Sequence, residues 1–220
     1  MLNHLSEKIV PKWTALIVID MQNDFISPGG VWHRCGEDIS MAQNALPRIV
    51  ALIARVRELG MPIFFVRSIY NSPDNRHLSE VYLHQAAKHP TRRFVDIPAC
   101  VEGTWGWELA KELHARPEDT IIAKHRYSAF CRTDLDARLR ARGIRTLLLT
   151  GVTTGVCVDG TARYGFELDY YNVIVADCCG AYTQEGHDLA LKQMHARYGE
   201  VTSSEGVFAA WIVDRMNSGT

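Results

Sequence analysis

The feature that most narrows the fold is the stretch from Thr146 to Thr161. An apolar run, Leu147-Leu148-Leu149, passes into a turn over Gly151, Val152, Thr153, Thr154 and Gly155, and a helical pattern begins at about Val156. Apolar residues without alternation are the pattern of a strand covered on both faces, as in a parallel sheet. Cys157 then falls in the first turn of the following helix. Free N–H groups and the positive end of the helix dipole favour an anion there, and thiol pKa values drop in such settings. Taken alone, the stretch allows two readings: a thiolate nucleophile, or a small buried hydrophobe.

The alternation of strand and helix recurs along the chain. Ala15–Ile19 is a continuous apolar run that ends in Asp20; the helical spacing from Ser40 to Leu59 is closed by Gly60, and Pro62–Val66 reads as a second strand. Residues 67–104, with Pro73, Pro90 and Pro98, are irregular; a stretch this long reads as a lid or substrate wall, or as a contact with a neighbouring subunit. Trp105–Leu113 reads as a helix, and Thr120–Ala123 as a third strand followed by Lys124. Thr133 fits the N-cap of a helix over Asp134–Arg142. After strand four and the Cys157 helix come a strand at Val173–Ala176 ended by Asp177, a helix at His187–Arg197, a short strand at 201–203 and a last helix at Glu205–Met216. This pattern predicts one α/β domain over residues 1–220: a three-layer, Rossmann-like sandwich whose six-stranded, mostly parallel sheet carries helices on both faces.

Composition excludes several classes. With 24 basic and 25 acidic residues, the chain has no electrostatic footprint for nucleic acid or an anionic membrane. No apolar run approaches the ~20 residues of a membrane span. Met1–Lys8 lacks the apolar region of a signal peptide. The six cysteines are scattered without a Cys-x-x-Cys pair, which fits a reduced, cytoplasmic protein rather than a disulfide scaffold or a zinc knuckle. No cofactor is expected: Asp20-Met21-Gln22-Asn23 stands after the first strand where a dinucleotide fold carries its glycines.

Asp20, Lys124 and Cys157 each stand at the carboxyl end of a predicted strand, and in a parallel sheet those ends share one edge. Charged groups at the ends of buried runs need partners. An Asp–Lys pair beside a thiol meets that demand and also makes a nucleophile. The ammonium favours the thiolate, while the carboxylate can take the thiol proton and later pass it to a leaving group. The plain alternative is a buried ion pair that only braces the sheet edge.

Three blocks carry a resemblance: Ala15–Phe25, Lys124–Phe130 and Gly151–Val158. In this order they resemble the signature blocks of the isochorismatase-like cysteine hydrolases, and Asp177-Cys178-Cys179-Gly180-Ala181 fits as well. The resemblance implies Cys157 as nucleophile, Asp20 as general acid and base, and Lys124 as the cation that holds the thiolate. It implies a cis peptide between Val152 and Thr153 that aims the N–H groups of Thr153 and Cys157 at an oxyanion, and a homo-oligomer, dimer or tetramer. Within the family the chain most resembles the branch acting on ureido and carbamoyl compounds, so a small amide or ureido substrate is expected. Nicotinamidases of the family carry a metal through an Asp-x-His; Asp74 and His77 here are three apart, and no metal is expected. Substrate-binding candidates are Phe25, Tyr70, Trp105, Tyr127 and Phe130, together with Arg197, which an ungapped count from Cys157 places where biuret hydrolases have a substrate glutamine. Arg197 could clamp a carboxylate or only complement its helix dipole. Isochorismatase-type or nicotinamidase-type hydrolysis, or a non-catalytic Rossmann-like binding module, are the competing readings.

Overall fold

In the computed structural model, which describes residues 2–72, 76–88 and 95–218, with side chains as far as residue 212, the apolar runs become one sheet. Its strands are β1 (Thr14–Ile19), β2 (Ile63–Ser68), β3 (Thr120–Lys124), β4 (Thr146–Val152), β5 (Tyr171–Gly180) and β6 (Glu200–Thr202). They lie in the order β3-β2-β1-β4-β5-β6 and every pairing is parallel. The helices are α1 (Leu5–Lys8), α2 (Asn23–Ile26), α3 (Val31–Arg34), α4 (Ser40–Glu58), α5 (Glu80–Ala87), α6 (Leu135–Ala141), α7 (Asp159–Glu167), α8 (Gln184–Arg197) and α9 (Ser204–Ser218).

All six residues of β1 are buried, and their alternation explains why. Leu16 and Val18 join a cluster with Ile49, Leu52 and Val56 of α4 and Trp211 of α9. Ala15, Ile17 and Ile19 join another with Leu135 and Leu139 of α6, Ala162 of α7 and Met194 of α8. Each buried aliphatic side chain of this size contributes about 1.5–3 kcal/mol, so a central strand apolar on both faces demands a helical layer on each. Among the described residues no helix is long and apolar enough to cross a membrane.

Several boundaries differ from expectation. β4 runs on to Val152 and β5 spans ten residues, because the β4–β5 register shifts between Leu149 and Gly151 and the extra length of β5 is taken up there. Asp177 therefore lies within β5 and caps α9, accepting from the Ser204 amide at 2.7 Å and the Ser204 hydroxyl at 2.6 Å. Residues 105–113 are not one helix but two short 3-10 turns, Trp105–Trp107 and Lys111–Leu113. The backbone between them pairs instead with residues 21–23: Asn23 donates to Glu108 O and Ala110 to Met21 O. The 67–104 excursion contains α5, with Ser79 as its N-cap. Asp134, not Thr133, is the N-cap of α6; the Thr133 hydroxyl reaches the Leu135 amide from one position further out.

The strand order reverses between β1 and β4. In open α/β sheets the crevice outside the carboxyl ends at such a reversal is where ligands bind.

Candidate active site

β1, β2 and β3 end in register, with Ile19 opposite Val66 and Ser68 opposite Lys124. Asp20 leaves β1 in the left-handed region, φ 53°, which Asp tolerates better than most residues, and its amide still donates to Val66 O at 3.0 Å. Lys124 is the last residue of β3. Both side chains are fully buried, and Lys124 Nζ lies 2.7 Å from Asp20 Oδ2. Nζ also donates to Ser68 Oγ at 2.8 Å, to Arg126 O at 3.2 Å and to Cys157 Sγ at 3.4 Å. The Asp20 carboxylate is the nearest of the four groups around Nζ, so the ammonium is held chiefly by its ion pair. The other oxygen, Oδ1, accepts from Ser68 Oγ at 3.0 Å.

Ser68 is a site residue that the strand-end argument passed over. Its position is fixed by Gln22, whose Oε1 accepts from the Ser68 amide at 2.7 Å and whose Nε2 donates to Ser68 O at 3.0 Å and to Trp107 O at 2.8 Å. The signal was available: Ser68 ends β2 on the same rim as Asp20 and Lys124.

The nucleophile turn follows β4. Gly151 sits at φ 108°, and a Cβ there would meet Ile19 O at 2.0 Å, so β1 and β4 can approach this closely only at glycine. The Val152–Thr153 peptide is cis. Thr154–Val158 winds as a π-helical turn, and Thr153 O accepts the amides of Val156 and Val158 at 3.0 and 3.2 Å. Cys157 is buried, 3% exposed, and its carbonyl accepts from Thr161 Oγ1 at 2.7 Å.

Burial pushes the Cys157 thiol up to about 12; Lys124 opposes this, and the facing Asp20 carboxylate adds to it. Burial would lower the Lys124 amine, but Asp20 and Cys157 outweigh it and hold the amine above its ordinary value. Within this balance the ammonium favours the thiolate, while burial and the facing carboxylate favour the thiol. Moving the thiol proton to Asp20 leaves the cluster's net charge unchanged, because the ammonium then faces a thiolate instead of a carboxylate. In a buried site, where an uncompensated charge is costly, that makes the transfer accessible.

The structure brings most of the remaining candidates to this rim. The Tyr70 ring lies 5.9 Å from Lys124 Nζ and stacks on Tyr82 of α5 at 5.8 Å. Tyr127 is 5.4 Å from Tyr82, and buried Phe25 packs on Trp32 at 4.2 Å with Tyr70 at its edge. Trp105 is an exposed rim residue whose carbonyl accepts from Asn23 Nδ2 at 2.8 Å. Asp24, an acid in the first block, is structural: its oxygens accept the amides of Val31 at 3.1 Å and Cys100 at 2.7 Å.

Two candidates are displaced. Phe130 is stacked between Tyr164 and Tyr170 in the core beneath α6 and α7, because the loop after β3 turns it inward away from the crevice. Arg197 ends α8, which feeds the start of β6; it lines a cleft of about 1060 Å3 with Lys8, Arg145, Tyr171 and Glu200, at the amino ends of the strands. Within the chain it lies at the rim opposite Cys157.

Asp74 lies outside the described residues. The ring of His77 stacks on His125 at 3.7 Å. Among the described residues no three His, Cys, Asp or Glu side chains converge as metal ligands.

The isochorismatase domain family model matches residues 14–206. A ureidoacrylate amidohydrolase RutB of Stutzerimonas stutzeri is 36% identical over 207 residues, covering 90% of this chain and 78% of that protein. The solved structure of an isochorismatase family protein from Desulfovibrio vulgaris superposes with TM-score 0.79 at 30% identity, over 91% of this chain and 99% of that one. N-carbamoylsarcosine amidase from Thermoplasma acidophilum gives TM-score 0.69 at 25% identity, over 87% and 96%.

Proposed function

Because the chain belongs to the isochorismatase domain family, we propose that it is a cysteine-dependent amidohydrolase cleaving a C–N bond of a small ureido or amide compound. The observation that carries this is the buried contact set on Lys124, 2.7 Å from Asp20 Oδ2 and 3.4 Å from Cys157 Sγ. It supplies a base and a cation to one thiol.

In the first half-reaction Asp20 takes the Cys157 proton as the sulfur attacks the carbonyl carbon. Lys124 stabilises the sulfur's developing charge, and the amides of Thr153 and Cys157 receive the oxyanion. Removing one such donor costs about 2.7–4 kcal/mol of transition-state stabilisation in a well-studied hydrolase. Asp20 then returns the proton to the departing nitrogen, the C–N bond breaks, and ammonia or an amine leaves a thioester. In the second half-reaction Asp20 takes a proton from water, the hydroxide adds to the thioester, the C–S bond breaks and the sulfur regains its proton from Asp20. Ser68 and Gln22 hold Asp20 and Lys124 throughout.

The similarity to a ureidoacrylate amidohydrolase and to an N-carbamoylsarcosine amidase supports a ureido or carbamoyl substrate. We assign one hydrolase domain to residues 1–220. Exposed Val156, Tyr164, Phe166 and Leu189 beside the nucleophile turn and on α7 and α8 support a homo-oligomer. The six free thiols support a reducing, cytoplasmic setting.

The test is ammonia release from ureidoacrylate, N-carbamoylsarcosine, biuret and nicotinamide. Wild type is expected to turn over at least one of the first three, and Cys157→Ala to lose on the order of 10⁴-fold or more. Near-native hydrolysis by folded Cys157→Ala would discard the scheme.

A further inference from the structure

We propose that His187, on α8, is a positioning residue that locks the nucleophile turn through Thr154; the proposal rests on the cysteine-hydrolase reading above. His187 Nδ1 and Thr154 Oγ1 share a hydrogen bond of 2.9 Å. Both groups are buried, His187 at 8% and Thr154 at 0% exposure, so each would be costly without the other. Burial also lowers the imidazole pKa, with Asp188 opposing.

The packing around the bond explains why it matters. Thr183 caps α8, accepting the Gly186 amide, and the first turns of the helix lie flat on the turn. A Cβ placed on Gly155 would sit 3.5 Å from Ala190 Cβ and 3.7 Å from Gly186 O. Glycine and alanine give this contact closeness but no direction, and a smooth face can slide. The His187–Thr154 bond is directional and fixes the rotation of Thr154. Thr154 stands between Thr153 and Cys157, so a shift there carries both the sulfur and the proposed oxyanion amides. Displacement by about 1 Å at such a site can cost on the order of 10²-fold in rate.

Asparagine and glutamine separate the two ring nitrogens. His187→Asn carries its amide near the Nδ1 position and restores the bond; His187→Gln carries it near Nε2 and does not. Thr154→Val removes the hydroxyl at constant volume, whereas Thr154→Ser keeps it. Two readouts are taken. One is kcat and KM for ammonia release from ureidoacrylate. The other is Cys157 alkylation by iodoacetamide, followed by mass analysis of the peptide that carries Cys157, which needs no substrate.

The expected result for His187→Gln and Thr154→Val is a kcat loss of ~10–100-fold with KM within about twofold. Both should also alkylate faster. His187→Asn and Thr154→Ser should stay close to wild type, and the double change His187→Gln/Thr154→Val should be no worse than either single one. Glutamine performing as well as asparagine in both readouts, or losses that multiply in the double variant, overturns the proposal. If wild type hydrolyses none of the substrates, the functional reading fails, and alkylation alone still decides this coupling. If His187→Gln does not fold, the two Thr154 variants decide it.

Discussion

The two rims of the sheet make opposite use of charge. At the carboxyl rim Asp20 and Lys124 are wholly removed from water, with Ser68 between them and Cys157 against them. At the amino rim Arg145, His195 and Arg197 line a cleft of about 1060 Å3 and stay in solvent. Its ion pair, Lys8–Glu200 at 2.6 Å, is only partly buried. Exposed pairs are worth ~0–1 kcal/mol. Burial dominates at the other rim: it pushes the Cys157 thiol up to about 12, with Lys124 and Asp20 acting on it in opposite directions. The amino-rim cleft thus holds solvated charges, whereas the carboxyl rim gathers dehydrated, mutually dependent groups.

Substitutions at the two rims test that contrast. The largest effect is expected for Asp20→Asn. Losing the general acid and base should cost about 10²–10⁴-fold in hydrolysis, and it also removes a charge that raises the thiol pKa and leaves Lys124, which lowers it. Wild-type alkylation should still be accelerating above about pH 9, whereas the Asp20→Asn rate should level off at lower pH. An unchanged alkylation profile would mean that the carboxylate does not govern the thiol.

Next, Lys124→Met should destabilise the fold by about 3–5 kcal/mol in urea unfolding, because Asp20 is left buried without its cation. Asp20→Asn/Lys124→Met should lose less than the sum of the single changes. Strict additivity would show that the two charges do not depend on each other.

The smallest effect is expected for Arg197→Gln: stability within about 0.5 kcal/mol, and equal rates on biuret and ureidoacrylate relative to wild type. A loss confined to the carboxylated substrate would break the comparison by bringing the amino rim into the reaction.

What the sequence revealed, and what it concealed, follows the same division. Runs apolar on both faces announced the parallel sheet, and Asp20, Lys124 and Cys157 announced the rim because a charge or thiol at the end of such a run is conspicuous. Ser68 was not conspicuous, since serine at a strand end is ordinary, and its role exists only through Gln22. For Arg197 the clamp reading rested on counting along the chain, whereas the helix-end reading matches its place at the end of α8. A helix that leads into a parallel strand must finish at the amino rim, so the topology already argued against the clamp. The burial that opposes ionisation of the thiol could not be read from the position of Cys157 at the start of a helix. Trp105–Leu113 had helical composition, but its backbone is engaged by residues 21–23.

One feature of the first block reaches beyond the reaction itself. Gln22, Asn23 and Asp24 grip the neighbouring loops through the main chain, at Ser68, Trp107, Trp105, Val31 and Cys100. Peptide groups are common to nearly all residues, so this mount does not depend on which side chains face the crevice. Replacing a side chain that faces the crevice therefore leaves these main-chain anchors of the first block intact.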